Sequence, residues 1–281
     1  ALTNLGSTTA PQTYWYSDKA GESITVRFPK MERVTAYSVY GNIDTDGTLL
    51  LATPDGHQET FDQKYDDMFR WKKTTTDFVS DSVTISLYSG TLKLNELAFF
   101  DANGEQIPVT VTGAEGTQAN LFDEQDTVAA VPSYYNGMYF DELYHGRTAY
   151  ENLHNLTPYE NSHPPLGKLL IMLGVWVFGM VPFGWRVVGA LFGIGMLPVL
   201  YAFGKRLFKN SDYAMVLTTL FAFDFMHFTQ TRIATIDVYS VFFILLMYYY
   251  MYQYITMNFF VDGLKKTLKP LALSGLFFGI G

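Results

Sequence analysis

The stretch "WRVVGALFGIGMLPVLYAFG", residues 185–204, decides how this chain is read. It carries one charged side chain, Arg186, near its start, and the basic segment "KRLFK" follows it. Crossing a bilayer takes roughly 20 apolar residues, so this run is long enough to span one. Residues 238–257, "VYSVFFILLMYYYMYQYITM", also suffice, and residues 213–230, "YAMVLTTLFAFDFMHFTQ", nearly do. A further span opens at 270–281. Residues 166–180, "LGKLLIMLGVWVFGM", are apolar but short, which favours an interfacial helix over a crossing one. Basic clusters at Lys205, Arg206 and Lys209, and at Lys265, Lys266 and Lys269, mark the cytoplasmic side. Two crossings separate them, so the "TRIATID" turn (231–237) and Arg186 are expected on the outer side.

Outward from this apolar region, the first half of the chain has a different character. The formal net charge of -8 comes from that half, while the second half is slightly basic. An acidic soluble part argues against a nucleic-acid partner. Residues 14–111 alternate with the period of half-buried strands. The clearest segments are 23–28, 34–41, 47–52, 82–88 and 92–101, separated by "DTDG", "TPDG", "YSG" and "DANG". Short strands at this spacing predict an all-β sandwich. Their order, and the ending "LNELAFFDANGEQIP", resemble galactose-binding-like (discoidin-type) jelly rolls. Residues 112–132, rich in Gly, Thr and acids, read as a linker. The expected fold class is an all-β jelly-roll sandwich followed by an α-helical multi-pass membrane domain.

The chain has no cysteine, so neither a disulfide nor a thiolate metal site is available. Residues 1–13 have no basic and apolar signal-peptide pattern. The apolar run at the C-terminal end is cut short, so the chain reads as an internal piece of a longer membrane protein.

Four motifs, "FDELYHGRTAYENL", "HPPLGKLLI", "PFGWRVVGALFG" and "FDFMHFTQTRIATIDVYSVFF", occur in that order across residues 134–281. Together they resemble the protein O-mannosyltransferase family, membrane glycosyltransferases of the GT-C fold. The resemblance implies the N-terminal part of such an enzyme: an external catalytic loop at 133–165, the short helix at 166–180, and a truncated set of spans. It implies transfer of mannose from a polyprenyl- or dolichyl-phosphate carrier to a Ser or Thr hydroxyl. The displacement would be single and inverting, and would need neither metal nor other cofactor. The β-domain and the loop would be extracytoplasmic, in a multi-pass protein of the cell membrane.

Asp141 and Glu142 match the family's paired acids in the first external loop. An alcohol is a poor nucleophile, and a carboxylate can take its proton as the new bond forms. The second acid would hold the acceptor or raise the pKa of the first. The alternative is that Asp141 caps a helix beginning at Glu142. Arg186 matches the family's arginine in the second transmembrane helix and would clamp the donor phosphate; otherwise it is a snorkelling interfacial residue. Arg232 is a second phosphate candidate, with pairing to Asp237 as its alternative. His163 and Lys168, in "HPPLGK", would contact phosphate or sugar, or else belong to a stiff proline-set helix start. His145 is expected to pack its helix or pair with Asp141. Asp224, inside an apolar run, is expected to make a structural contact with His227. Histidines at "HExxH" spacing do not occur, so a metal site is not expected.

Trp15, Tyr40, Trp71 and Tyr88 are candidates for sugar stacking in the β-domain, with core packing as the commoner use. A related transferase moving another polyprenyl-phosphate sugar onto a glycan or lipid stays open. So does a non-catalytic glycan-binding membrane receptor. The first expects Asp141 to be indispensable; the second expects the β-domain to bind glycan by itself.

Overall fold

The computed structural model describes residues 2–281, the Phe259 side chain excepted; residue 1 of the expected 1–13 segment lies outside them. The chain divides into two compact units. One is a β-unit of Gly6–Leu143 with Met180–Pro182, and the other contains the helices.

The β-unit holds seven strands: β1 (Trp15–Ser17), β2 (Ser23–Gly41), β3 (Asp46–Ala52), β4 (Gln58–Gln63), β5 (Trp71–Phe100), β6 (Gln106–Ile107) and β7 (Thr110–Thr112). Their pairing order is β4-β3-β5-β2-β7, with β1 and β6 also on β5. β2 meets β5 more than once. Residues 23–27 pair with 82–86, whereas residues 36–40 lie between 71–75 and 96–100. Partner numbers fall along β5 as they rise along β2. Two long bent strands therefore run from one layer of a sandwich into the other. The segments expected separately at 23–28 and 34–41 are arms of β2, and those at 82–88 and 92–101 belong to β5.

Alternation fixes which side chains face inward. Leu49 and Leu51 on β3 and Val83, Ile85 and Leu87 on β5 are buried in one core with Trp15, Tyr37 and Phe99. Burying each such aliphatic side chain contributes roughly 1.5–3 kcal/mol. The "YSG" turn needs its glycine: Gly90 has φ 82°, and an added Cβ would collide with the Asp46 carbonyl. In "DANG", Asp101 Oδ1 accepts the Asn103 and Glu105 N–H groups at 2.9 and 2.8 Å and closes the turn through its side chain.

Residues 112–132 are built into the sandwich. Short 3-10 turns at Gln118–Leu121 and Gln125–Thr127 place Leu121 and Phe122 in the core. Their apolar side chains, more than the surrounding Gly and Thr, decide where the segment lies.

The helices are α1 (Glu142–Leu153), α2 (Pro165–Phe178), α3 (Pro182–Phe208), α4 (Ser211–Ala222), α5 (Phe225–Gln230), α6 (Asp237–Ile255), α7 (Phe259–Asp262) and α8 (Leu264–Ile280). Among the described residues, α3 and α6 are long and apolar enough to cross a membrane, with 27 and 19 residues. α2, with 14 residues, is about 21 Å long at 1.5 Å per residue, short of a bilayer core. It starts on Pro165 and stops at Gly179, whose φ is 83°.

The run expected as one span over 213–230 consists of α4 and α5, broken at Asp224. Asp224 is the N-cap of α5 and accepts the His227 N–H at 2.9 Å. This accounts for an acid in an apolar run: it satisfies a helix start. Its contact with His227 is to the backbone. α6 packs on α8 through Phe243, Tyr250 and Phe277, and Ser274 Oγ donates to the Met247 carbonyl at 3.0 Å. In the aromatic run 247–254, Tyr249 receives a hydrogen bond from Arg206 Nε at 3.0 Å.

Candidate active site

Asp141 and Glu142 stand at the end of a loop that the β-unit holds. Ser133 N–H donates to Asn136 Oδ1 at 2.8 Å, and the Ser7 N–H ties down the Tyr135 carbonyl at 2.8 Å. Met138 N–H donates to the Phe69 carbonyl at 3.0 Å. Gly137 lies against Arg70 so closely that an added Cβ would sit 2.7 Å from Arg70 Cβ and 2.9 Å from its Cα. The rings of Tyr134 and Tyr139 pack at 4.2 Å. Phe140 then adopts φ 52°, a conformation rare outside glycine, and leaves its ring largely exposed.

This turn separates the two acids. Glu142 is fully buried and reaches back to accept the Tyr139 N–H at 2.9 Å. Its own N–H donates to the Tyr139 carbonyl at 3.1 Å. Asp141 is partly exposed, and among the described residues no hydrogen bond or ion pair engages its carboxylate. α1 does begin at Glu142, but the side chain that closes its start is Glu142 and not Asp141.

Further along α1, Arg147 and Glu151 form a buried ion pair, Nε to Oε1 at 2.6 Å. Glu151 Oε2 also accepts the Tyr159 N–H at 2.8 Å, and the Arg147 guanidinium lies over the Tyr159 ring. Sequence reasoning passed over this pair, although its i,i+4 spacing on a helix is the ordinary signal for one.

Lys168 and His163 meet at Glu160. The Lys168 ammonium is buried, ion-paired with Glu160 Oε2, and donates to the Glu160 and His163 carbonyls at 2.8 and 3.2 Å. His163, half-exposed, places Nδ1 3.1 Å from Glu160 Oε1. Burial raises the Glu160 pKa, but hydrogen bonds from Lys168, Ser162 and His163 outweigh it and hold the carboxyl well below its ordinary range. The expected donor-phosphate role of Lys168 therefore meets an ammonium already committed to a carboxylate. His145 packs edge-on against His163, ring centroids 5.7 Å apart.

Arg186 and Arg232 converge on the backbone of residues 3–5. Arg186, buried on α3, donates from Nη1 to the Leu5 carbonyl at 3.1 Å. Arg232 donates from Nη2 to the Thr3 and Asn4 carbonyls at 2.8 and 2.7 Å. Burial, and then the charge of Arg186, lower the Arg232 pKa. Arg232 takes these carbonyls where pairing with Asp237 had been the alternative; Asp237 stands exposed in the first turn of α6. A cavity of about 100 Å³ next to Arg232 is lined by Gly193, Leu197, His227 and Phe228.

In the β-unit, Trp15, Tyr40 and Trp71 are buried, while Tyr88 is exposed. Glu96, Asp123 and Glu124 bring their carboxylates together. Glu96 accepts the Glu124 N–H at 2.9 Å and the Gln125 amide, while Glu124 accepts the Gln12 and Thr13 N–H groups at 2.6 and 2.8 Å. These acids serve the chain's own donors. Burial pushes the Glu96 pKa up to about 9.

Residues 162–281 match the family model described as dolichyl-phosphate-mannose-protein mannosyltransferase. That match includes His163, Lys168, Arg186 and Arg232 and begins after Asp141 and Glu142. A polyprenol-phosphate-mannose–protein mannosyltransferase of Corynebacterium glutamicum is 37% identical over 82 residues, 29% of this chain and 16% of that protein. Proteins of the same name from Mycolicibacterium smegmatis and Mycobacterium tuberculosis are 33% identical over 81 and 82 residues, again 29% of this chain and 16% of each relative. A solved structure, the family 32 CBM from C. perfringens NanJ in complex with galactose, covers 31% of this chain and 75% of its own, at 16% identity and a TM-score of 0.26.

Proposed function

We propose, from the match of residues 162–281 to the dolichyl-phosphate-mannose-protein mannosyltransferase family model, that this chain is part of a membrane mannosyltransferase. It would move mannose from a polyprenyl-phosphate carrier to a Ser or Thr hydroxyl of an acceptor protein. The observation that carries the assignment of roles is the contrast between two neighbouring acids: Glu142 is buried and hydrogen-bonded to the loop, while Asp141 is accessible with no hydrogen bond or ion pair among the described residues. Asp141 acts as base. It takes the hydroxyl proton as the acceptor oxygen bonds to the sugar's anomeric carbon and the carbon–phosphate oxygen bond breaks. Glu142 holds the loop that presents Asp141. The departing lipid phosphate carries the electron pair away, and guanidinium groups suit that charge. Arg186 and Arg232 take this role by exchanging the carbonyls of residues 3–5, to which they donate in this structure, for phosphate oxygens. Lys168 braces the 160–168 segment through Glu160. The β-unit and the Asp141 loop lie outside the cytoplasm, and the Lys205 and Lys265 clusters inside.

A single displacement at one base predicts a simple test. In the full-length protein in lipid nanodiscs, supplied with polyprenyl-phosphate mannose and a Thr peptide, Asp141→Asn lowers kcat about 10²- to 10⁴-fold while donor binding persists. Undiminished transfer by the variant removes Asp141 from the mechanism. The glycan-receptor reading gains no support, since three of the four aromatics proposed for stacking lie in the core.

A further inference from the structure

A cleft of about 360 Å³ opens on the β-unit between the start of β5 and the segment leading to Asp141. Asp67, Arg70, Trp71 and Lys72 line it together with Tyr134 and Met138. Arg70 Nη2 and Lys72 Nζ both bind Asp67, at 2.6 and 2.7 Å. The Asp67 side chain is 7% exposed, whereas those of Arg70 and Lys72 are each 37% exposed. The carboxylate thus lies beneath two cations. Burial raises its pKa, but the Lys72 and Arg70 hydrogen bonds outweigh this and keep it ionised. One negative charge beneath two positive ones leaves the cleft with a net positive face, in a chain of net charge -8. Tyr134 adds an exposed ring at the rim, braced by Tyr139. The Met138 N–H bond to the Phe69 carbonyl ties the 132–138 segment to the residue beside Arg70.

We propose that this cleft binds the acceptor polypeptide through an acidic side chain near the hydroxyl that receives the sugar. The inference rests on the reading of Asp141 as base. Met138 precedes Asp141 by three residues, so their Cα atoms are at most about 11 Å apart. An extended peptide advances about 3.3 Å per residue, so the favoured acid sits within about three positions of the acceptor Ser or Thr. The β-unit then selects the substrate of the reaction that its own loop catalyses.

The test uses full-length protein in nanodiscs and two fluorescein-labelled peptides. They are identical except for Glu or Gln three residues from their only Thr. Anisotropy reads binding without turnover, and mannose transfer is measured in parallel. Exposed ion pairs are worth little after solvent screening, so the Glu peptide binds about two- to fivefold tighter. That preference shrinks as salt rises from 0.05 to about 0.5 M. Lys72→Gln abolishes the preference. Asp67→Asn, which exposes the two cations to the peptide without a competing carboxylate, increases it. A purely structural role for the triad would instead make both substitutions weaken the preference. Equal binding of the two peptides by the unmodified protein, or movement of the preference in the same direction in both variants, overturns the proposal. Tight Glu-dependent binding without mannose transfer to either peptide leaves the cleft in place and refutes the transferase reading instead.

Discussion

The contact between Gly137 and Arg70 makes a quantitative claim about how the β-unit serves Asp141. A methyl group added at Gly137 meets Arg70 Cβ at 2.7 Å and Arg70 Cα at 2.9 Å, where ordinary contact begins at 3.4 Å. Rotating the long arginine side chain relieves neither contact, because Cα is backbone and χ1 rotation leaves Cβ in place. The loop has to give by roughly 0.5 Å or more, and the Met138 N–H bond to Phe69 is the first to stretch. Asp141 lies four residues beyond Gly137, and the intervening turn is stiffened by Phe140 and Glu142. The displacement is therefore passed along the chain. A misplacement of about 1 Å at a reacting group can cost about 10²-fold in rate, so Gly137→Ala should lower kcat by about 10- to 100-fold. The Michaelis constant for the lipid-linked sugar should stay within about twofold. Overpacking also costs about 1–3 kcal/mol of stability, so turnover is measured well below the variant's unfolding temperature. A Thr peptide without acidic residues avoids any effect of Arg70 on acceptor binding. Hydrogen exchange supplies the structural control: amides at 137–142 should lose protection while β2 and β5 keep theirs. Full kcat in a variant whose loop amides have lost protection would show that the placement of Asp141 does not depend on this contact.

Two further outcomes follow from other parts of the chain. Glu96 has an ordinary pKa of 4.5 and about 9 in the fold, raised chiefly by burial. The folded state thus holds a proton that the unfolded state loses, so this group's contribution is complete below pH 4.5 and is lost as pH rises toward 9. The slope is about 1.4 kcal/mol per pH unit, or about 3 kcal/mol by pH 7. Urea unfolding at pH 5, 7 and 9 should show the decline, and Glu96→Gln should flatten it; an unchanged slope would mean Glu96 ionises normally. In the helical unit, a Cβ at Gly193 would meet Thr231 Cγ2 at 2.5 Å and Cβ at 2.6 Å. Gly193→Ala should push away the turn bearing Arg232 and raise the donor Michaelis constant about fivefold, the equivalent of about 1 kcal/mol; an unaltered constant would detach Arg232 from the donor.

The parts of this structure that the sequence reveals are those where burial repeats at a fixed period. β3 shows its inward face in Leu49 and Leu51, and α3 is visible from its apolar length. β4, "QETFDQ", buries one large apolar side chain, Phe61, and so presents no alternation to read. The first arm of β5, "WKKTTTDFVS", is polar on its outer face and becomes a strand because β2 runs beside it. Hydrophobicity also hides the break at Asp224, since the residues on both sides are apolar and the stop depends on a cap. In the site, the acids and arginines stand out by type. Their partners do not. Glu160 reaches Lys168 across a loop, and the ligands of Arg186 and Arg232 are backbone carbonyls, which every residue possesses.

The two adjacent acids are not interchangeable, and the reason is one of length and direction. Neighbouring residues at a helix start point about 100° apart, so a helix that turns one of them inward leaves the other facing out. The inward one must reach back three residues to the Tyr139 N–H. Glutamate at position 142 does so at 2.9 Å, whereas aspartate, shorter by a methylene, makes the same three-residue reach at Asp67 at 3.3 Å, a longer and weaker bond. The outward one must not reach back. A short side chain at 141, following the left-handed turn at Phe140, keeps its carboxylate away from the backbone donors that Glu142 takes. A carboxylate that accepts several backbone N–H groups is a weak base, because those bonds favour its charged form. The order Asp-Glu, and not Glu-Asp, thus gives the loop one acid that anchors it and one whose carboxylate stays accessible.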